Sequence, residues 1–122
     1  MKSRVPRPSE IKYHQRSRVL EVGYADGTRF ELGAEYLRVY SPSAEVRGHG
    51  PGQETLQVGK EAVGIEQIEP IGHYAVRLHF DDGHRTGLYS FDELHNLGSR
   101  QSELWAHYLQ RLADAGHQRS VS

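Results

Sequence analysis

Two Asp-Gly pairs, Asp26-Gly27 and Asp82-Gly83, each lie between two short runs in which apolar residues alternate with other residues. Glycine adopts a positive φ without steric cost, so an Asp-Gly pair in this setting is a strong signal for the turn of a β-hairpin. The first pair separates residues 19–22 from residues 28–32. We therefore predict an antiparallel hairpin within residues 11–32.

The second pair follows the most regular alternation in the chain. Apolar side chains occupy every second position from residue 74 to residue 80, which predicts that they share one face of a strand. These side chains are Tyr74, Val76, Leu78 and Phe80. Residues 86–89 are expected to pair back after the turn at residues 81–84, and residues 63–71 are expected to be extended. This region predicts a second hairpin.

Helical signals follow each hairpin. Residues 34–40 predict a short helix, whereas residues 41–54 contain two Pro and three Gly and predict an irregular segment. Ser90 and Glu93 form a capping box for a helix that ends near Gly98. A second helix is expected from about residue 100 to residue 115. Its apolar stripe, which must be buried against something, consists of Leu104, Tyr108 and Leu112.

These signals predict the α+β class: a mainly antiparallel β-sheet built from hairpins, a short helix after the first hairpin, and two C-terminal helices packed on the sheet. At 122 residues the chain has the length of one domain. We predict a flexible N-terminal arm over residues 1–9, a single domain over residues 10–116 and a C-terminal tail over residues 117–122.

The charge balance excludes several classes of function. Fifteen basic and sixteen acidic residues give a net charge of −1, which does not provide the basic surface that nucleic-acid binding requires. No apolar run approaches the roughly 18 to 20 residues that span a bilayer, and we find no secretory signal. The expected protein is cytoplasmic and binds neither nucleic acid nor membrane.

The chain has eight His and no Cys. Without Cys, a disulfide scaffold, a thiolate metal site and a cysteine nucleophile are excluded. His79 and Asp81 would share one side of a strand, a partial match to an iron site of two His and one carboxylate. A third ligand would come from a later histidine: His84, His95, His107 or His117. The alternative is a solvent-facing His79 beside a turn Asp81.

The other local patterns do not predict an active site. Residues 47–53 have Gly at alternate positions, so they predict either a small anion cradle or a flexible connection. Asp81 and Asp82 fit the geometry of a turn better than an acid–base pair. Arg38 has two interpretations, a member of a binding surface or a helix-surface residue paired with Glu35.

Several segments together carry a resemblance to a known family. They are residues 5–8, 34–38, 41–50, 71–76 and 80–89, which contain Leu-Arg, Asp-Gly-His and Tyr motifs. Over roughly residues 5–115, the chain resembles bacterial stand-alone domains similar to the N-terminal domain of gamma-butyrobetaine hydroxylase. The resemblance implies a β-rich sheet with packed helices.

The resemblance also implies where a metal would lie in relatives. Their small domain looks like a zinc module whose ligands are three Cys and the His of the Asp-Gly-His turn. The corresponding positions here are Ser41, Ser43, Val46 and His84. Only His84 is a zinc ligand, so the resemblance implies that the zinc site has been lost, although His49 could replace one ligand.

The expected function follows from this resemblance. The catalytic jelly-roll domain of the hydroxylases has no counterpart in these residues, so we expect a non-catalytic accessory or protein-interaction domain with no cofactor. Related domains fused to iron–sulfur scaffold proteins imply a link to iron or iron–sulfur metabolism. The predicted interaction surface consists of Arg38, Ser41, Ser43, Arg47, His49, Asp82 and His84. The alternative is a zinc or iron protein related to the 2-oxoglutarate-dependent hydroxylase, with candidate ligands His84, His49, His79 and Asp81.

Overall fold

The computed structural model describes residues 7–48, 50 and 52–119. Residues 1–6 of the predicted arm, residues 120–122 of the predicted tail and His49 lie outside the described residues. Within the arm, the backbone N–H of Ser9 donates to the carbonyl of Gly23, which continues the pairing of the first strand. Within the tail, Arg119 makes an ion pair with Glu35.

The first hairpin is confirmed, and a preceding strand extends it to a three-stranded antiparallel sheet of order β1-β2-β3. The turn between β2 and β3 depends on Gly27, whose φ is +92°. The Asp26 carboxylate accepts a hydrogen bond from the backbone N–H of Thr28 and closes the turn. The strands are β1 (Glu10–His14), β2 (Val19–Gly23) and β3 (Arg29–Gly33).

The second hairpin is also confirmed and forms a second three-stranded antiparallel sheet, of order β4-β5-β6. The turn between β5 and β6 has the same design as the first, because the Asp82 carboxylate accepts from the backbone N–H of His84 and Gly83 has a φ of +91°. The strands are β4 (Ile65–Ile71), β5 (Ala75–Phe80) and β6 (Gly87–Ser90).

Four helices connect and cover these sheets. The predicted cap at Ser90 is confirmed, since its hydroxyl accepts from the backbone N–H of Glu93 at 3.0 Å. The Glu93 carboxylate accepts from Arg47. No described helix is long and apolar enough to cross a membrane. The helices are α1 (Ala34–Val39), α2 (Ala44–Arg47), α3 (Phe91–Ser99) and α4 (Gln101–Asp114).

The predicted α+β class is confirmed, with the strands divided between two sheets that share one core. Leu20 and Leu32 of the first sheet and Leu78 and Phe80 of the second belong to the same buried cluster. Helix α3 contacts both β3 and β6 and contributes buried leucines to this cluster. On α4, the predicted stripe meets α1, where Tyr108 and Leu112 pack with Val39.

Two local predictions are wrong. Tyr74 does not share the buried face of β5, because it belongs to the turn after Ile71 and is 58% exposed. Ala75 is buried instead, since β5 is the central strand and is covered more completely than its alternation suggests. The predicted irregular segment contains α2, a four-residue helix that Ser43 caps by accepting from the backbone N–H of Glu45.

Candidate functional site

The segment from α1 to α2 meets the turn between β5 and β6. Helix α1 ends at Val39, so the polar side chains of Ser41 and Ser43 follow directly on the buried helix. The Asp82 turn reverses the chain so that the side chains after it point back towards α2. Residues more than 40 positions apart in sequence therefore form one polar network. Its members are Arg38, Ser41, Ser43, Glu45, Asp82, His84 and Thr86.

His84 is the centre of this network, and both of its ring nitrogens have partners. Nδ1 lies 3.0 Å from a carboxylate oxygen of Glu45, and Nε2 lies 2.8 Å from Oγ of Ser41. A carboxylate only accepts, so Nδ1 carries the proton. In the neutral ring, Nε2 then accepts the hydroxyl proton of Ser41.

The remaining hydroxyls complete the network. Thr86 donates to the Glu45 carboxylate at 3.2 Å, so its oxygen is free to accept from Ser43 at 2.7 Å. Ser41 accepts from the backbone N–H of Ser43 at 3.2 Å. Among the described residues, the only buried side-chain polar atom without a partner is the hydroxyl of Tyr24, which lies elsewhere. The network is thus internally satisfied.

Burial keeps the imidazole neutral. It lowers the pKa of His84, and the positive charge of Arg38 lowers it further, whereas Glu45 acts in the opposite direction. The buried hydroxyl of Tyr89 donates to the carbonyl of Leu37 at the end of α1. Burial also raises the pKa of Tyr89, so this donor stays protonated.

Arg38 and Asp82 form the second half of the network. Nε of Arg38 lies 2.9 Å from the Asp82 carboxylate, and Nζ of Lys60 lies 2.8 Å from the same oxygen. Burial raises the pKa of Asp82, but hydrogen bonds from Lys60, the His84 backbone and Arg38 more than offset this and bring it to about 2. The interpretation of Arg38 as a surface residue paired with Glu35 is wrong, because Arg38 is buried.

Hydrogen bonds link Ser41 to His84 and His84 to Glu45, in the order of the nucleophile, base and orienting carboxylate of a catalytic triad. A nucleophile must reach a substrate, however, and Ser41 is completely buried. Its hydroxyl fills space beside Gly87, where a Cβ would come within 2.6 Å of it. This arrangement therefore fits structural hydrogen bonding better than acyl transfer.

The predicted interaction surface is brought together in part. Arg38, Ser41, Ser43 and His84 are in contact through the network, but all four are buried. Asp82 joins them at the edge of the network, and Arg47 lies on the exposed side of α2. His49 lies outside the described residues. A partner would meet this region through its exposed side chains, Glu45 and Arg47 among them.

The candidate metal ligands do not converge. Nε2 of His79 lies 2.9 Å from the Glu69 carboxylate on the neighbouring strand, whereas His84 is occupied by Ser41 and Glu45. The Asp81 carboxylate lies close to the backbone of Gly64. In the part of the chain that the structure describes, no three His, Asp or Glu side chains are placed to share a metal ion.

The positions that the resemblance assigns to zinc do not fit that metal. Structural zinc is held by four sulfur or nitrogen ligands. Ser41 and Ser43 offer neutral hydroxyls that are already hydrogen bonded, and Val46 offers no donor atom. His84 alone has the right chemistry, so the donor set is insufficient.

Sequence reasoning missed a groove beside α2. It has a volume of about 500 Å³, and its floor is formed by apolar side chains of α1, α2 and the residue after α1. Arg111 of α4 is half-buried on its wall and makes no ion pair with a described residue. The irregular composition of residues 41–54 was the only sequence signal. The lining residues are Val39, Tyr40, Ser41, Val46, Arg47, Gly48, Gly50, Glu54 and Arg111.

The solved structures that are similar to this chain include two NMR structures and one crystal structure. Two are NMR solution structures, 47% and 48% identical, which superpose with TM-scores of 0.82. The alignments cover 97% and 98% of this chain, and 94% and 89% of the other chains. The third is the crystal structure of a DUF971-family protein of unknown function from Acidithiobacillus ferrooxidans ATCC 23270. It is 40% identical with a TM-score of 0.64 over 80% of this chain and 98% of that chain.

No curated protein sequence matches the chain. The model of one family does, over residues 11–95, which include both sheets and the first turn of α3. That family is described as gamma-butyrobetaine hydroxylase-like, N-terminal. The match and the three structural neighbours confirm the resemblance in the sequence. The chain belongs to the gamma-butyrobetaine hydroxylase-like N-terminal family.

Proposed function

We propose that this protein is a non-catalytic accessory domain that binds another protein in the groove between α1, α2 and α4. The observation that carries this proposal is the groove itself. Its floor is lined by Val39 and Val46, which are buried, and by Tyr40, which is half-buried, and it has a volume of about 500 Å³. Concave apolar sites with a few polar groups at the rim are typical binding sites.

The groove also indicates the character of its occupant. Arg111 is half-buried on the wall and makes no direct ion pair with a described residue, but its charge acts on the Glu54 carboxylate of the same groove, whose pKa is lowered by the backbone N–H groups of Glu54 and Gly52 and further by Arg111. Arg47 also lines the groove, and it already donates to Glu93 at 2.8 Å. A peptide segment with an apolar side chain followed by an Asp, a Glu or a free carboxyl group would fill the floor and neutralise Arg111.

A non-catalytic role agrees with the neighbouring polar network. Ser41, whose hydroxyl faces His84, is buried and hydrogen bonded. Asp82 has a pKa of about 2 and is held by Lys60 and Arg38, so at neutral pH it is a fixed anion rather than a proton carrier. These groups support the shape of the groove rather than a reaction.

The class of partner that we propose is a protein of iron or iron–sulfur metabolism. Its support is the family membership and the fusion of related domains to iron–sulfur scaffold proteins. The groove supplies the physical means, because it would select a partner segment by its apolar side chain and negative charge.

A site-specific photo-crosslink tests the proposal. A photoreactive phenylalanine analogue is placed at Glu54, which is exposed and lines the groove, and at Glu66, which is exposed on β4 and outside it. Crosslinking in native cells should give an adduct at position 54 that is absent at position 66. The captured protein is then purified and its affinity measured with charge-reversal variants.

Arg111→Glu should weaken the purified complex about tenfold or more, because it places a like charge opposite the partner's carboxylate. The matched control is Arg85→Glu, an exposed arginine outside the groove, which should change the dissociation constant less than about twofold. Equal crosslinking at both positions, or an affinity that Arg111→Glu leaves unchanged, would exclude the groove as the binding site.

A further inference from the structure

A second feature, on the other side of α4, joins a buried carboxylate to an arginine of the tail. Glu35, in the first turn of α1, is about nine-tenths buried, and its two oxygens accept from Nη2 and Nε of Arg119 at 2.5 and 2.8 Å. The guanidinium lies over the ring of Trp105, 5.2 Å from its centroid. A carboxylate and an aromatic face therefore enclose one guanidinium.

This geometry is specific for arginine. Two parallel hydrogen bonds from Nε and Nη2 match the two carboxylate oxygens, which an ammonium group cannot do. The planar guanidinium also stacks on an indole ring better than a lysine does. The hydrogen bond with Glu35, followed by the negative charges of Glu35 and Glu61, raises the pKa of Arg119.

Contacts of the Arg119 side chain, rather than of its backbone, hold this residue in place. Helix α4 ends where Gly116, at a φ of +77°, reverses the chain, and the backbone N–H of His117 donates to the carbonyl of Leu112. Beyond this cap, the backbone of Gln118 and Arg119 makes no hydrogen bond with a described residue. The tail can therefore leave α4 without unfolding a helix or a strand.

Departure of the tail would leave the Glu35 carboxylate without its positively charged partner. Glu35 is about nine-tenths buried with Arg119 in place, and a carboxylate that stays partly buried is costly without a positive partner; Arg119 is its only ion-pair partner among the described residues. Space for a replacement already exists. A cavity of about 360 Å³ adjoins the carboxylate and the indole, lined by Gly33, Glu35, Tyr36, Gln101, Ser102 and Trp105.

We propose that Glu35 and Trp105 form an arginine-binding site that Arg119 occupies in the closed state and that an arginine side chain of another polypeptide occupies when the tail departs. Arg119 is then a competitor built into the chain, and its release exposes the carboxylate and the indole together. The adjoining cavity receives the residues that flank the incoming arginine. The site lies apart from the groove beside α2 and does not depend on the function proposed above.

The fluorescence of Trp105, the only tryptophan of the chain, gives a direct test. N-acetyl-arginine amide is titrated into the wild-type protein and into Arg119→Ala at constant ionic strength. The variant should bind with a dissociation constant of about millimolar order. The wild type should bind about tenfold more weakly, because the ligand must displace an arginine that fills the site most of the time.

Three controls separate the site from a general effect of charge. Arg85→Ala removes an exposed arginine elsewhere and should behave like the wild type. N-acetyl-lysine amide should bind Arg119→Ala at least severalfold more weakly than the arginine compound. Adding Glu35→Gln to Arg119→Ala should abolish binding. If that double variant does not fold, Trp105→Leu with Arg119→Ala, followed by NMR, serves the same purpose.

Equal affinities of the wild type and Arg119→Ala would show that Arg119 does not compete and would overturn the proposal. A folded Arg119→Ala protein that gives no saturable response to the arginine compound would overturn it as well. So would equal binding of the lysine and arginine compounds, since the site would then recognise charge alone.

Discussion

The hydroxyl oxygen of Ser41 lies 2.8 Å from Nε2 of His84, and these two residues stand at positions where the family resemblance places zinc ligands. A zinc ion would cross-link the chain after α1 to the turn between β5 and β6. Here a direct hydrogen bond joins the same two places, and Glu45 fixes the other side of the imidazole. In this chain, a buried polar network therefore joins the two places that a zinc ion would join at the positions implied by the resemblance.

The first prediction concerns the stability of this network. Ser41→Ala should lower the free energy of unfolding by about 1–3 kcal/mol, because it leaves Nε2 of His84 and the backbone N–H of Ser43 buried without partners. Urea denaturation measures the change. Ser99→Ala, at an exposed serine of α3, is the control and should stay within about 0.5 kcal/mol of the wild type. Equal effects of the two variants would contradict the structural role of Ser41.

The second prediction is a loss of stability in mild acid. Burial and the charge of Arg38 lower the pKa of His84 in the folded protein, whereas the unfolded chain has the ordinary value of about 6.5. As pH falls through about 6.5, His84 therefore binds a proton in the unfolded chain but not yet in the folded protein. The free energy of unfolding should decrease down to the folded-state pKa, by up to about 1.4 kcal/mol per pH unit from this group.

Denaturation between pH 5 and pH 8 measures this dependence on pH, and the comparison uses slopes rather than absolute stabilities. His84→Gln removes the titrating group, so its slope should be shallower than that of the wild type. His73→Gln, at an exposed histidine of the turn before β5, is the matched control for the replacement of a histidine by glutamine. Parallel curves for the wild type and His84→Gln would mean that His84 binds protons equally well in both states.

The hairpins and the helix cap were predictable because their signals are local. An Asp-Gly pair determines a turn through its own backbone and side chain, and Ser90 caps α3 through a residue three positions away. Helix α2 is too short to show a period, so its only signal was the capping hydroxyl of Ser43. Local patterns thus predicted the strands and helices but not which of them contact one another.

The polar network needed information that no local pattern carries. Arg38 and Asp82 are 44 positions apart, and Glu35 and Arg119 are 84 positions apart. Sequence spacing favours the pair of Arg38 with Glu35 at i−3, which is the pair that does not form. Arg38 and Glu35 are both buried charges, and each is stabilised by a partner of opposite charge. Only the assembled fold determines which partner is near.

The third prediction concerns Asp82. Asp82→Asn should reduce stability by about 1–3 kcal/mol at neutral pH, because it removes the negative charge that faces the buried guanidinium of Arg38. The pKa of Asp82 is lowered to about 2, so its stabilising charge is complete above about pH 4 and is lost as pH falls towards 2. The stabilities of the wild type and Asp82→Asn should therefore converge in this range.

Asp81→Asn is the matched control for this experiment. Asp81 is the preceding residue in the same turn, is exposed, and makes no side-chain hydrogen bond or ion pair with a described residue. Its substitution should change the free energy of unfolding by less than about 0.5 kcal/mol at neutral pH. A similar loss in both variants would indicate an effect of turn geometry rather than of the Arg38 ion pair.

The fourth prediction is that zinc binding can be introduced at the positions that the resemblance assigns to zinc ligands. The triple variant Ser41→Cys, Ser43→Cys, Val46→Cys would place three thiolates around His84, a ligand set that structural zinc prefers. We expect one zinc ion per chain and tetrahedral coordination, visible as intense thiolate-to-metal absorption when cobalt(II) is substituted. Because zinc binds the folded form, it should also raise the free energy of unfolding of this variant.

The wild type and the triple variant with His84→Ala separate a closed site from adventitious thiolate binding. The wild type should take up no stoichiometric zinc at micromolar concentrations, since its hydroxyls are poor ligands and are engaged by Thr86 and His84. Loss of His84 should weaken zinc binding by about tenfold or more, because one of four ligands is missing. A triple variant whose affinity does not depend on His84 would mean that the cysteines bind zinc without this imidazole, and the equivalence of these positions with the family's zinc site would be refuted.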